Sequence, residues 1–152
     1  MEINGLPLHA LVVHAAVVLG PLSALVGILY ALMPRWRDYL RWPLVAFVAV
    51  AVGAIWTAYL SGGMLEDANP DSYQSDELRG LLDTHEDRAN ILRWVASGFG
   101  LVSFAAALWH SRTGPMRTVL TSLVLAGGVA TAIYCVLVGD AGAQIAWYGV
   151  NG

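Results

Sequence analysis

Lysine is absent from this 152-residue sequence, cysteine occurs once, and charged residues of both signs make up only 12%. Each scarcity excludes something. Soluble domains carry about 25% charged residues. A chain that is 57% hydrophobic, with mean hydropathy +0.61, cannot clothe itself in polar surface in water. The eight cations are all arginine, the net charge is −3, and no basic cluster points to nucleic acid. Cys135 alone cannot close an intramolecular disulfide, so it gives no redox compartment. The start of the chain carries the acidic Glu2 where a signal peptide has basic residues, and its apolar run far exceeds the ~7–15 residues of a signal. It is expected to persist as a mature helix.

What the sequence has is uncharged length. Four stretches lack any Asp, Glu, Lys or Arg: Ile3 to Pro34 (32 residues), Trp42 to Leu65 (24), Trp94 to Ser111 (18) and Thr118 to Gly139 (22). A helix rises ~1.5 Å per residue, so about 20 apolar residues cross a ~30 Å hydrocarbon layer. The pattern predicts an all-α, single-domain integral membrane protein: an antiparallel four-helix bundle over residues 1–152. Its helices are expected at about 8–33, 43–64, 76–110 and 117–139.

Charge placement orients the bundle. The turn Pro34 to Arg41 holds three Arg against Asp38, and the turn after His110 adds Arg112 and Arg117. Both read as cytoplasmic, with Trp36, Trp42 and Trp109 at the inner interface. Glu66 to Arg93 holds eight of the eleven acids and is expected outside, together with both termini. Within it, Leu78, Leu81, Leu82 and His85 share one helical face, and Ser75 precedes two acids as an N-cap. The third helix is therefore expected to begin near Asp76 and stand above the membrane for its first turns. Ser61-Gly62-Gly63 and Ala68-Asn69-Pro70-Asp71 read as the loop before it. A weak internal duplication shows in Thr57-Ala58-Tyr59 before Gly62 and Thr131-Ala132-Ile133-Tyr134 before Gly139. Asp140 is expected to end the fourth helix in solvent. Small residues such as Ala96, Gly100, Ala126 and Ala130 read as close helix packing.

Three of the four histidines, His9, His14 and His85, map to the outer side. His14 has only apolar sequence neighbours at membrane depth, where an unpartnered polar group is costly, so its ring is expected to find a partner on another helix. His9 and His14 are five apart, ~140° around a helix, and cannot share a face. A His from the first helix opposed to His85 from the third is what bis-histidine haem ligation needs. Depth favours His9 for that role, and the need for a partner favours His14. We take His14 and His85 as ligands, with His9 as alternate or support. Arg88 and Arg93 are candidate partners for haem propionates. Asp83, Glu86 or Asn90 could orient the ligating ring, and Gly20, Gly53 and the Pro21 kink would leave room for a macrocycle. The same imidazoles, His14, His85 and His9, could hold a Zn or Cu ion, although no HxxxH motif is present. A third reading has the outer His only hydrogen-bonding helix ends. His110 reads as an interface residue and Cys135 as a small buried hydrophobe.

The segment Asn4-Gly5-Leu6-Pro7-Leu8-His9-Ala10-Leu11-Val12-Val13-His14 resembles the opening of a family of small bacterial four-span membrane proteins, catalogued as a domain of unknown function. Members begin with a Pro-Leu-His-Pro-Leu-x-Val-His type segment and carry a further His near the third span, which His85 matches by position. Ala10 stands where a Pro is often found. Some members are fused to Rieske iron–sulfur or cytochrome c modules; no such module is attached here. The resemblance implies haem binding or electron transfer in a bacterial cytoplasmic membrane. The expected function is thus a b-type haem protein passing electrons between quinol and an outer-face partner such as a Rieske protein or cytochrome c. Any enzyme activity would be that of an oxidoreductase subunit resting on its cofactor. The competing class is non-redox: an outer-face Zn or Cu site, or an assembly subunit of a membrane complex. The lipid bilayer is a partner in every reading, and a homo-oligomer is compatible with each.

Overall fold

A computed structural model describes residues 2–3, 6–69 and 75–148. A two-residue antiparallel pairing of Glu2–Ile3 with Leu6–Pro7 precedes four long helices. These are α1 (Leu8–Leu32), α2 (Arg37–Ala68), α3 (Asp76–Leu108) and α4 (Pro115–Ala146). All four are long and apolar enough to cross a membrane. Each packs against two neighbours, in the cyclic order α1, α2, α3, α4. Short connections make consecutive helices antiparallel, as in an up-and-down bundle.

Local chemistry explains where the helices begin. A 3-10 turn, Pro34–Trp36, joins α1 to α2. The Arg37 guanidinium turns back to donate from Nε to Tyr30 O (2.9 Å) and from Nη2 to Ala31 O (2.8 Å), satisfying carbonyls that α1 would otherwise leave orphaned. Ser75 caps α3 as its sequence predicts: its hydroxyl accepts from Leu78 N at 3.2 Å, ahead of Asp76 and Glu77. Before α4, Gly114 takes a φ of +114°, which L side chains resist, and Pro115 supplies the pre-set first residue.

Two helices outrun the uncharged stretches. Ser61-Gly62-Gly63 is not a loop: α2 continues through it to Ala68, with Ser61 Oγ bonded back to Ala58 O at 3.1 Å. The loop residues Pro70 and Asp71, like Asn4 and Gly5 of the opening segment, lie outside the described residues. Asp140 does not end α4 either, which runs to Ala146. Glycine weakens a helix by only ~1 kcal/mol relative to alanine, too little to stop one that is packed on its neighbours.

The duplication is sharper in the packing than in the sequence. Buried Ala16, Gly20, Ser23, Gly27, Tyr30 and Ala31 of α1 recur, at one constant offset, as buried Leu92, Ala96, Phe99, Ser103, Ala106 and Ala107 of α3. Leu44, Val48, Ala51 and Ser61 of α2 recur in the same way as Val124, Gly128, Thr131 and Ala141 of α4. This register pairs Gly62 with Gly142, and not with Gly139 as the local sequence likeness has it. Burial is a property of the whole helix face, whereas a three-residue match is not.

Phe99 is the centre of the packing. Its ring lies where Cβ atoms at Gly27, Gly127 and Gly128 would stand 2.6, 3.1 and 3.6 Å away, so three glycines on α1 and α4 make its socket. Cys135 is half-buried against Gly20, whose missing Cβ would approach its sulfur to 2.6 Å. These are close approaches of the kind small residues permit between membrane helices.

Candidate histidine site

The repeat places two histidines in equivalent positions. At the start of α1, His9 directs Nδ1 at Ala58 O of α2 (2.9 Å), with Ser61 Oγ 3.4 Å from the same nitrogen. In the first turns of α3, His85 directs Nδ1 at Val138 O of α4 (3.1 Å). A carbonyl can only accept, so Nδ1 carries the hydrogen in both rings. In a neutral imidazole the lone pair then lies on Nε2, and neither Nε2 is engaged among the described residues.

Gly62 and Gly142 make these bonds reachable. In a helix the carbonyl of residue i is flanked by the side chain at i+4, and here those positions are Gly62 after Ala58 and Gly142 after Val138. A Cβ at Gly62 would stand 3.3 Å from His9 Cε1, and one at Gly142 would stand 3.2 Å from His85 Cε1. Both distances are tighter than ordinary van der Waals contact, so each ring lies flush on its glycine. Sequence reading took Gly62 for a loop residue and missed its pairing with His9. The recoverable signal was a His at the start of each odd helix and a Gly near the end of each even one.

His85 lies in the charged first turns of α3, ahead of its uncharged stretch. Burial lowers its pKa from the ordinary value, the bond to Val138 O opposes that, and positive charge on His9 or Arg88 lowers it further. The neutral ring, with a free Nε2, is favoured.

His14 is placed differently from expectation. Its ring is exposed on the outward face of α1, beside exposed Leu11 and Val18, and Nδ1 bonds Ala10 O of its own helix at 2.6 Å. No partner from another helix is needed, because the backbone one turn back supplies an acceptor. Of the two first-helix histidines, the structure relates His9, and not His14, to His85. The ~140° between them around the helix is the reason.

Arg88 and Arg93 are engaged within the protein. Arg88 donates from Nη1 to Leu137 O (3.0 Å) and lies 3.7 Å from Asp140, tying α3 to α4. Arg93 donates to Asn90 Oδ1 at 2.9 Å, with its guanidinium carbon 4.0 Å from the Tyr59 ring centroid, 4.8 Å from Trp56 and 5.3 Å from Trp94. Trp56 also donates to Ser97 Oγ at 3.0 Å and meets Trp94 edge-on. An Arg caged by three aromatic rings is a helix-joining element between α2 and α3. Glu86, next to His85 in α3, faces the carboxyl of Glu66 at the end of α2. Burial, the Glu66 carboxyl and the charge of Asp83 push its pKa up to about 7. Arg79 closes the α2–α3 junction with an ion pair to Glu66 at 2.8 Å.

At the opposite end, His110 joins α1 and α2. It is buried, with Nε2 2.6 Å from Asp38 Oδ1 and Nδ1 3.3 Å from the Tyr30 hydroxyl, which donates to Ala106 O. A single acid in an Arg-rich turn was the signal for that pairing.

Among the described residues no group of three or more His, Cys, Asp or Glu could hold a metal ion. Two cavities, of about 270 and 390 Å³, lie elsewhere: one beside Arg37 and Arg117, the other along the α2–α3 groove at Val48 and Gly100. No curated protein and no solved structure matches the chain. One family does, over residues 5–151, and its description agrees with four apolar helices packed into a bundle. The chain belongs to the family described as "Predicted membrane protein (DUF2231)".

Proposed function

We propose that this multi-pass membrane protein binds haem b through His9 and His85 and serves in electron transfer at the outer face of a bacterial cytoplasmic membrane. The observation that carries the reading is the equivalent pair of imidazoles, each with Nδ1 held by a carbonyl of the adjacent helix and Nε2 left free. A backbone acceptor on one ring nitrogen is the arrangement that fixes the tautomer and raises the basicity of a ligating histidine. Two neutral imidazoles would suit a group that takes a pair of histidine ligands. They do not fit a tetrahedral Zn or Cu cage, which asks for more ligands than this pair. Neither cavity borders the pair, so donor chemistry and not a preformed chamber supports the reading.

Bound haem would supply one-electron chemistry. The chain's own residues do the positioning: Ala58 and Val138 orient the rings, Gly62 and Gly142 admit them, and Arg88 fixes the end of α4 against α3. His14 is not a ligand in this reading, and Arg88 and Arg93 keep N–H donors for propionates beyond those given to Leu137 O and Asn90 Oδ1. Quinol on the membrane side and a Rieske or cytochrome c protein outside are partners consistent with the acidic outer connection.

The test is the absorbance spectrum of the full chain purified from cells supplied with a haem precursor. A Soret band and a sharp reduced α band are expected, lost in His9→Ala and in His85→Ala and kept in His14→Ala. Circular dichroism controls for folding. A colourless protein, or bands surviving both His9→Ala and His85→Ala, overturns the proposal. Stoichiometric Zn or Cu in a colourless sample, lost in the same variants, would favour the ion reading instead.

A further inference from the structure

The 270 Å³ cavity at the other end of the bundle lies between the end of α1 and the first turns of α4. It is lined by Ala31, Arg37, Arg117, Thr118, Thr121, Ser122 and Leu125. Its walls therefore carry two guanidiniums, three hydroxyls and no acid. Arg37 and Arg117 are equivalent positions of the repeat, so the duplication brings two cations to one place.

Those cations are unequally occupied. Arg37 spends Nε and one Nη2 hydrogen on Tyr30 O and Ala31 O, which fixes its guanidinium while leaving three further N–H donors. Arg117 has a buried Nε that finds no acceptor among the described residues. A buried donor without an acceptor is unusual in a folded protein. The neighbouring acid does not serve either. Asp38 shares the vicinity of Tyr30 with Arg37, Arg41 and Arg117, but its carboxylate is held at 2.6 Å by His110.

We propose that this cavity is a binding site for a phosphate-bearing anion, supplied either by the head group of an anionic phospholipid or by a soluble phosphate. Guanidinium forks match phosphate oxygens in geometry as well as in charge. The hydroxyls of Thr118 and Ser122 offer further hydrogen bonds, while Thr121 spends its hydrogen on Arg117 O at 2.7 Å, and the amino end of α4 adds its dipole. Leu125 and Ala31 give the cavity an apolar wall on the side of the spans, as an amphiphile's glycerol and first methylenes would require. Basic pockets between membrane helices are known takers of such head groups. The site stands apart from the histidine pair and does not depend on the haem reading.

The full chain in neutral detergent is titrated with phosphatidylglycerol, phosphatidylcholine or inorganic phosphate, with thermal unfolding and native mass spectrometry as readouts. Saturable stabilisation and retained lipid with phosphatidylglycerol alone support the site with the lipid as source. The same stabilisation by inorganic phosphate supports it with the soluble source. In either case Arg117→Gln and Thr118→Val should each weaken binding, the first by tenfold or more. Arg35→Gln, exposed in the preceding turn, should leave it unchanged. Equal effects of phosphatidylglycerol and phosphatidylcholine with none from phosphate, or equal losses in Arg35→Gln and Arg117→Gln, overturn the proposal. Arg37 is left unsubstituted because it also caps α1.

Discussion

Gly142→Ala sets two quantities of similar size against each other. Alanine is favoured over glycine in a helix by about 0.8–1.0 kcal/mol. Against this, the new Cβ would stand 3.2 Å from His85 Cε1 and 3.4 Å from Nδ1, so the ring must move by a few tenths of an ångström. That movement stretches a bond already at 3.1 Å to Val138 O, worth about 0.5–1.5 kcal/mol. The net change in the wild-type background should lie near zero or slightly below. In a His85→Ala background the clash is gone, and Gly142→Ala should stabilise by the full ~1 kcal/mol. The coupling in the double-mutant cycle is then about 1 kcal/mol. Gly139, with nothing within 4 Å of its virtual Cβ, is the control. Gly139→Ala should stabilise by ~1 kcal/mol with or without His85. Reversible unfolding in mixed detergent micelles measures all of these, and at about 2–4 °C per kcal/mol a thermal scan resolves them too. If Gly142→Ala stabilises as much as Gly139→Ala while His85 is present, the claim that the glycine exists to admit the ring is refuted. The same cycle on Gly62 and His9, with Gly63 as control, should give the same result.

Three further outcomes are expected. Gly27→Ala places a Cβ 2.6 Å from Phe99 Cζ and should destabilise by about 1–3 kcal/mol through overpacking, read as a lowered melting temperature. Arg93→Lys should not rescue the loss caused by Arg93→Ala, about 1–2 kcal/mol, because a compact ammonium cannot stack flat on Tyr59, Trp56 and Trp94; tryptophan emission reports the change. Glu86 has a folded-state pKa raised from 4.5 to about 7, so its contribution to stability is full below pH 4.5 and lost as pH rises through about 7. Unfolding measured from pH 4 to 9 should show that decline, and Glu86→Gln should flatten it.

The membrane class, the number of helices and the cap at Ser75 were legible because they depend on local quantities: uncharged length, rise per residue and one hydroxyl before two acids. Helix ends were less so. Gly62 and Asp140 look like punctuation in one dimension, and only neighbouring helices explain why α2 and α4 pass through them. The histidines show the division most clearly. Sequence spacing requires His9 and His14 to face apart, and both first-helix candidates, together with His85, could be named from it. It could not say which faces inward. His14 reads as needing a partner because its neighbours in sequence are apolar, yet a carbonyl one turn back satisfies it. His9 is drawn to α2 by a carbonyl that Gly62 leaves open, a relation between residues 49 positions apart. The sparseness of charge thus determined by itself that this chain has four apolar spans, since transfer of charge into lipid is costly wherever it occurs along a helix. Which side chains meet was decided by tertiary packing, because shape, and above all the absence of a Cβ, selects contacts that hydropathy does not encode.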